Sequence, residues 1–429
     1  EILLEEFSNV IKSPLLQKIF FMGSMLWFND LDSKISNEAL KEMQGVSIWA
    51  PSKFKFLASN LTRQVAYHGL HEVGQMFVDE DKVDMGCFVA ALQGNDGTWI
   101  IGRNFDFDVN NFFDKEKILK WVYPEKGIPY LSIIWAGMVG AVTGGNQNSI
   151  FVSINAAGSD DFSRIGTPTT LVVKKILQTA NNIDEALKVL RESKTFITEI
   201  FIVGDMKSQK VYKIEKSPKR ISITKLNKSS VISNHLTDSL WIADKTNSSR
   251  IRRLTTNLRY KRGIEILKTL DNFTLKDAQN LLRDKLVIGT NQIHNGHRGA
   301  IDSMIASQSV IYDMKEGILY ISLGPGTNGK YVGYDLKMSF DQKKPIVVKN
   351  LDQDILVSNL DYKKQRTFDK NIKETSLNLS HGKCIIVKEQ ISSLMNQGYI
   401  HYNFDRVQGD YQDRCNNDLI SAKKMWVLA

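Results

Sequence analysis

The sequence predicts a layered α/β fold in which antiparallel sheets are flanked by pairs of helices and preceded by a helical segment. Three observations carry this. Short apolar runs separated by turn signals read as hairpins and meanders rather than βαβ units. Helical periodicity is strongest in a paired segment lying between those runs. An apolar fraction of 42% and a charged fraction of 24% over 429 residues suit a chain with a full buried core. That length permits two or three domains, or one large α/β domain.

The first 86 residues read as helical. The most apolar run, 14–28, is interrupted by Gln17, Lys18, Gly23 and Ser24 and is too short to cross a bilayer. It reads as a helix packed on the core, with an interfacial helix as the alternative. Ser36 is a capping residue ahead of helix formers at 37–43. A second helix is expected over 53–77, where Phe54, Leu57, Leu61, Val65 and Leu70 recur near helical spacing.

After Asp84 the texture changes. The apolar run 87–93, the turn Gly94-Asn95-Asp96-Gly97 and the run 98–102 predict a hairpin whose first residue is Cys87. Further strands are expected at 130–135, 150–154, 199–203, 211–214, 230–233, 304–312 and 318–323. Between them, 169–193 is helical with two apolar faces, and Asn181-Asn182 suggests a break and a fresh cap. Helices are also expected at 248–267 and 275–286, and Gly324-Pro325-Gly326 marks a turn. From Leu351 onward the chain is polar, with weak helical signals and no motif.

The net charge of +9 invites a nucleic-acid reading. Its densest stretch holds Lys245, Arg250, Arg252, Arg253, Arg259, Lys261 and Arg262 without an acidic residue. No nucleic-acid motif or aromatic platform accompanies it, so a solvated helix face is the better account. Attraction to an anionic lipid surface or an acidic substrate stays open. The cysteines Cys87, Cys384 and Cys415 are too few and too scattered for a disulfide framework or a zinc site. At most Cys384 and Cys415 pair, which leaves Cys87 free. His68, His71 and Glu72 form HxxHE rather than the HExxH of zinc enzymes, which favours helix packing. His294 and His297 lie in a Gly- and Asn-rich loop and read as a solvated turn. No metal and no cofactor is expected.

Cys87 opens a strand rather than a helix, so the helix dipole that activates papain-like thiols is missing. A different chemistry fits. If the Gly86–Cys87 bond is cut, Cys87 gains an α-amino group whose pKa of about 7.7–8.0 suits a base at neutral pH. Nucleophile and base then share one residue. Gly86 adds no side chain beside the bond, which leaves its carbonyl open to close approach.

The hairpin ends in Gly102-Arg103-Asn104-Phe105-Asp106-Phe107. Cys87, with Arg103 and Asp106 sixteen and nineteen residues beyond it, resembles the signature of a known family. That signature is shared by conjugated bile acid hydrolases, acid ceramidases, N-acylethanolamine acid amidases and penicillin acyltransferases. The resemblance runs over about 67–336 and is strongest to the autoproteolytic acyltransferase/hydrolase group. Gly144-Gly145-Asn146 is similar to the family's GxN segment, which implies Asn146 in the oxyanion hole. Val152-Ser153-Ile154-Asn155 follows it. Ile232-Ser233-Asn234-His235 resembles the TN(H) element, and Ser249-Arg250-Ile251-Arg252 the later SR segment, implying Asn234 and Arg250 as site residues. Phe88 stands where relatives usually carry Thr, and Gly145 and Ser149 where many have Met and Gly.

The resemblance implies a four-layer αββα sandwich of the N-terminal-nucleophile hydrolase type. It divides the chain into a helical α-chain or propeptide segment at 1–86, a core at 87–350 and a C-terminal extension at 351–429. It implies self-cleavage between Gly86 and Cys87, and attack of the Cys87 thiol on an N-acyl amide through an acyl thioester. Arg103 would steady the thiolate and Asp106 the new ammonium, although a structural ion pair between them is the alternative. Phe107, Trp135 and Met138 would line an apolar acyl pocket, or simply pack the core. The expected partners are a small N-acyl amide, no nucleic acid, a peripheral membrane contact, and an α/β heterodimer of the two cleavage products that assembles further. A catalytically inactive relative that binds lipids or surfaces is the competing reading. Because Glu1 is not preceded by Met, a removed leader is expected, and with it a secreted, periplasmic or lipoprotein-like location.

Overall fold

The computed structural model describes residues 8, 11–27, 31–77, 85–107, 112–289, 296–399 and 401–428. Its strands, in chain order, are β1 Met85–Gln93, β2 Trp99–Phe107, β3 Lys117–Val122, β4 Tyr130–Trp135, β5 Thr143–Asn146, β6 Ile150–Ala156 and β7 Glu199–Asp205. They continue with β8 Lys210–Lys216, β9 Ile221–Lys225, β10 Ser230–Ile232, β11 Ala306–Asp313, β12 Ile318–Ser322, β13 Tyr331–Asp335 and β14 Val347–Leu351. They form two seven-stranded sheets, ordered β10-β1-β2-β11-β12-β13-β14 and β3 to β9 in sequence. Each strand pair described is antiparallel.

Side-chain alternation makes the layers. In β1, Val89 and Ala91 join Ile101, Leu131, Ile133, Phe151 and Ile202 in a core between the sheets. Phe88, Ala90 and Leu92 point the other way, into a core shared with the helix Leu275–Leu282. Both faces are buried, so β1 is an apolar run with no polar alternation. On the second sheet, Val152, Ile154, Phe201 and Val203 pack under Val172, Ile176, Leu187 and Leu190. Those residues belong to the helices Thr169–Thr179 and Ile183–Glu192, split where Asn182 Oδ1 accepts from the Glu185 amide at 3.0 Å. Helix, sheet, sheet and helix thus stack in the expected αββα order, with helices ahead of them.

Two expected helices break differently. The segment 53–77 is a short turn at Ser52–Phe54 followed by a helix at Asn60–Phe77, started where the Ser59 hydroxyl accepts from the Thr62 amide at 3.1 Å. The segment 248–267 is two helices, Lys245–Arg253 and Thr256–Leu267. Asp244 caps the first by accepting from the Asn247 amide at 2.9 Å, and Leu254 is extended at ψ 161°. Past Leu351 the weak helical signals become four helices, Leu360–Ser380, Cys384–Met395, Tyr402–Asn416 and Leu419–Leu428. Phe368, Ile372, Val387, Leu394, Phe404 and Val407 give them a core of their own, and a Cys384–Cys415 disulfide joins two of them.

The N-terminal helices rest on the second sheet's helical layer, where Ile35, Ala39, Met43 and Val65 pack with Val139, Leu171 and Phe196. Here the HxxHE residues serve packing. His68 Nδ1 donates to the Gln64 carbonyl at 2.8 Å and Nε2 accepts from the Val139 amide at 2.9 Å, a neutral imidazole that burial holds down at about 4. Glu72 accepts from the Thr169 amide at 2.7 Å, while its Oε2 is buried without a hydrogen-bond partner among the described residues. The side chain of His71 and all of His294 lie outside the described residues. Among those residues, no three His, Cys, Asp or Glu are placed to hold a metal.

Burial pushes Glu72 from 4.5 up to about 7. A raised carboxyl pKa stabilises the fold fully below the unfolded value, and that stability is lost as pH rises through the folded one. Docking of the helix Asn60–Phe77 should therefore weaken between roughly pH 4.5 and 7, by about 3 kcal/mol. Glu72→Gln keeps the acceptor for Thr169 and should flatten the pH dependence of the thermal midpoint over that range. An unchanged slope would refute the assignment.

Candidate active site

The hairpin turn at Gly94–Gly97, with Gly97 at φ +81°, sets the register of β1 on β2. Cys87 then faces Phe105, Val89 faces Arg103, and Gly86 faces Asp106. Residues opposite one another share a sheet face. The thiol, Phe105 and Arg103 therefore point between the sheets, and Gly86 and Asp106 point to the helix side. Phe88 also points away from the thiol, against Gly263, where an added Cβ would meet its ring at 2.7 Å. The departure from Thr at this position thus falls on the far face of the strand.

Between the sheets, Cys87 is buried and outside any disulfide. Arg103 Nη2 lies 3.9 Å from its sulfur. The buried guanidinium also donates to the Thr143 hydroxyl and the Ile154 carbonyl, and it sits 4.6 Å over the Phe105 ring. One arginine thus spans both sheets beside the thiol. Burial pushes the thiol pKa up, against the opposing pull of Arg103 and of backbone hydrogen bonds from Asp106 and Ala156. Phe105, Phe113 and Trp135 belong to the same packed cluster, with Phe107 and Met138 against it. Phe105–Trp135 and Phe113–Trp135 ring centroids lie 5.6 and 5.3 Å apart.

The backbone nitrogen of Cys87 has a separate cage. It donates to Asn234 Oδ1 at 2.8 Å, and Arg259 Nη2 donates to the same oxygen at 2.7 Å. Asn234 Nδ2 donates to the Ala156 carbonyl at 2.9 Å, and its own amide is held by the Thr256 hydroxyl at 2.8 Å. Asn234 therefore lies beside Cys87, where its carbonyl oxygen accepts from the Cys87 nitrogen.

Asp106 is buried across the strand pair from Gly86. Burial raises it to about 6, despite the Arg298 and Arg259 guanidiniums, and the Ser303 hydroxyl donates to its Oδ2 at 3.4 Å. A Cβ added at Gly86 would lie 3.1 Å from Asp106 Oδ2 and 3.4 Å from Arg259 Nη2 and from Arg298 Nη2. Gly86→Val would have to push this cluster aside, so any self-cleavage there should slow by roughly tenfold or more, since each 1.4 kcal/mol is a factor of ten. The fraction cut over time on a denaturing gel measures it, and an unchanged rate would refute the crowding.

Two expected residues are held by other contacts. Asn146 pairs across from Tyr130, whose side chain faces the helical layer, so it points away from the thiol. Its Nδ2 donates to the Leu177 and Ala180 carbonyls at 3.0 and 2.8 Å, and its Oδ1 accepts from the Ile150 amide at 3.0 Å. It caps the end of the helix Thr169–Thr179. Arg250, on the helix before the Leu254 break, packs its guanidinium on Gly158, where a Cβ would come 2.2 Å from Nε. The arginine that reaches Asn234 is Arg259, carried inward by the second helix.

The asparagine on the thiol's side is Asn155. It follows Ile154, whose side chain faces the helices, so Asn155 faces the other sheet. It is fully buried, its Nδ2 donates to the Ser233 carbonyl at 3.3 Å, and its Oδ1 has no hydrogen-bond partner among the described residues. The run Val152–Asn155 marks the position in sequence, and strand alternation was the signal that could have selected it.

A family model described as acyl-coenzyme A:6-aminopenicillanic acid acyl-transferase matches residues 92–328, more than half of the chain. The match takes in Arg103, Asp106, Asn155, Asn234, Arg259 and Arg298 and begins just past Cys87. Among solved structures, the chain is similar to the Caenorhabditis elegans N-acylethanolamine-hydrolyzing acid amidase ortholog, at 18% identity and TM-score 0.40 over 53% of this chain and 93% of that one. It is also similar to a mutant of the Clostridium perfringens conjugated bile acid hydrolase, at 13% identity and TM-score 0.40 over 61% and 96%. A curated relative is an uncharacterized protein of Archaeoglobus fulgidus, 25% identical over 135 residues, 30% of this chain. The match spans only 22% of that relative's length.

Proposed function

The chain belongs to the acyl-coenzyme A:6-aminopenicillanic acid acyl-transferase family, and from that membership we propose that it is an N-terminal-nucleophile cysteine amidohydrolase or acyltransferase that cuts itself between Gly86 and Cys87. The observation that carries the proposal is the pair of separate cages around one residue, Arg103 at the Cys87 sulfur and Asn234 at the Cys87 nitrogen.

In the precursor, the thiol adds to the Gly86 carbonyl and its proton passes to the Cys87 nitrogen as the peptide bond breaks. Water then hydrolyses the thioester, leaving a carboxylate on Gly86 and a free amine on Cys87. In the mature enzyme that amine takes the thiol proton, and the thiolate adds to the carbonyl carbon of an N-acyl amide. Asn234 Oδ1 orients the amine through the hydrogen bond it already makes to this nitrogen. Asp106, on the same face as Gly86, stabilises the ammonium. Asn155, with the Nδ2 hydrogen not given to the Ser233 carbonyl, supplies a donor to the tetrahedral oxyanion, a contribution worth about 3–4 kcal/mol in studied enzymes. The ammonium protonates the departing amine, and water or an acceptor amine takes the acyl group from sulfur.

The aromatic cluster of Phe105, Phe107, Phe113 and Trp135 beside Cys87 supports an apolar acyl group. The Cys384–Cys415 disulfide suits an oxidising compartment, in keeping with a secreted or cell-surface protein. The test is intact mass after exposure to a panel of N-acyl amides. An acyl adduct mapped to an N-terminal Cys87 is expected, and chain cut at Gly86 that never acylates would refute the enzyme reading.

A further inference from the structure

The helix Pro14–Trp27 buries Gln17 and Phe21 and packs Met25 with Phe54, Leu57 and Ala66. Its other face is apolar and open. Leu15 is 67% exposed, Ile19 57% and Leu26 73%, with Leu16 and Met22 exposed between them. At its C-terminal end, Arg164 Nη2 donates to the Leu26 carbonyl at 3.3 Å, which brings the exposed Phe162 and Ile165 to the same end. Beside Phe54, the segment 46–59 adds Trp49, 87% exposed, and the exposed Ile48 and Phe56. Folded soluble monomers rarely leave so many neighbouring apolar side chains in water without a use.

Charge identifies the occupant. Residues 11–27 carry Lys12 and Lys18 and no acid, and residues 46–59 carry Lys53 and Lys55 and no acid. Protein interfaces are depleted of lysine at their centres, whereas lysines rimming an exposed apolar helix face suit anionic headgroups above an acyl layer. The face is the outside of a helix rather than a groove, so it fits a bilayer better than a peptide. No helix among the described residues is long and apolar enough to cross a membrane, so the contact is peripheral.

We infer that the face formed by Leu15, Leu16, Ile19, Met22 and Leu26, with the lysines around it, seats the protein on an anionic phospholipid surface. The inference does not depend on self-cleavage. Because the face lies ahead of Gly86, a cut enzyme would stay on the membrane only while its two chains remain packed.

The full chain is sedimented with vesicles of phosphatidylcholine alone and of phosphatidylcholine mixed with phosphatidylglycerol. Binding is expected to the mixed vesicles and to fall with added salt. Leu16→Glu with Ile19→Glu should lower partitioning roughly tenfold or more, and Lys12→Glu with Lys18→Glu by about the same. These side chains are exposed, so the thermal midpoint should hold, and a variant that loses it is replaced by Leu26→Glu. Wild-type protein left in the supernatant, equal binding to both vesicles, or unaltered binding of the variants would overturn the inference. So would a wild-type dimer that Leu16→Glu converts to a monomer, because the face would then cover a second copy.

Discussion

Cys87→Ala is expected to remain one uncut chain and to lose all acyl transfer, with its fold intact. Wild-type protein should resolve into fragments 1–86 and 87–429 on a denaturing gel, and the first residue of the longer fragment should be Cys87. The variant loses the one sulfur that, in the proposed mechanism, would both attack Gly86 and carry the acyl group. The structural cost is small by comparison. Removing one buried sulfur atom from the cluster with Phe105 and Trp135 should cost about 1–2 kcal/mol, well within the stability of a domain this size. Cys87→Ser separates self-cleavage from an outside protease. A hydroxyl is a poorer nucleophile than a thiol, so an intramolecular cut slows, whereas an external protease would cut wild type, Ser and Ala variants alike. That last pattern would defeat the proposal.

Arg103→Met should lower kcat by about two to three orders of magnitude, the range seen when one preorganised electrostatic group is deleted. Methionine preserves most of the length and apolar stem of arginine but none of its donors. The Thr143 hydroxyl and the Ile154 carbonyl would lose their guanidinium partner, and the thiol would lose the cation 3.9 Å away. A buried polar group stripped of its partner costs about 1–3 kcal/mol, so the thermal midpoint should also drop. Stability alone does not identify the role, and the thiol's titration does. Burial already raises its pKa and Arg103 opposes that rise, so removing the cation must move the pKa further up. The pH dependence of Cys87 alkylation should therefore shift to higher pH in the variant. A lowered midpoint with an unmoved alkylation profile would leave Arg103 as a brace between the sheets and nothing more.

Which residues meet at the site depends on how far apart in the chain they lie. Cys87, Arg103 and Asp106 belong to one hairpin, where a tight turn and a two-residue alternation decide both distance and side, so their grouping was legible from spacing. The same alternation puts Asp106, three residues after Arg103, on the opposite face from the sulfur. Asn146 and Asn155 both lie near the second hairpin, and the motif alone favoured the one whose side chain turns away from the thiol. Counting alternation from Tyr130 through β5 separates the two, because that parity turns Asn146 toward the helices. Arg250 and Arg259 were harder to separate. One continuous helix was expected, and the extended residue Leu254 resets the helical phase, so the arginine facing Asn234 is the one after the break. Arg298 carried no signal, because it reaches Asp106 from a distant loop.

The sequence by itself determined the alternation of apolar strands and amphipathic helices, the layered α/β class, the hairpin that carries Cys87, although its first strand begins two residues earlier at Met85, and the family. The first three rest on periodicity and turn chemistry over at most a few tens of residues, and the family on the resemblance carried by Cys87, Arg103 and Asp106. Tertiary structure alone decided that Arg103 reaches Thr143 and Ile154 on the other sheet, that Asn234, itself held by Arg259, accepts from the Cys87 nitrogen, and that Leu15, Ile19 and Leu26 on the helix Pro14–Trp27 are exposed. The physical reason is the same for each. Local geometry chooses the face on which a side chain emerges, and only the packing of sheet on sheet and helix on sheet chooses what it meets there.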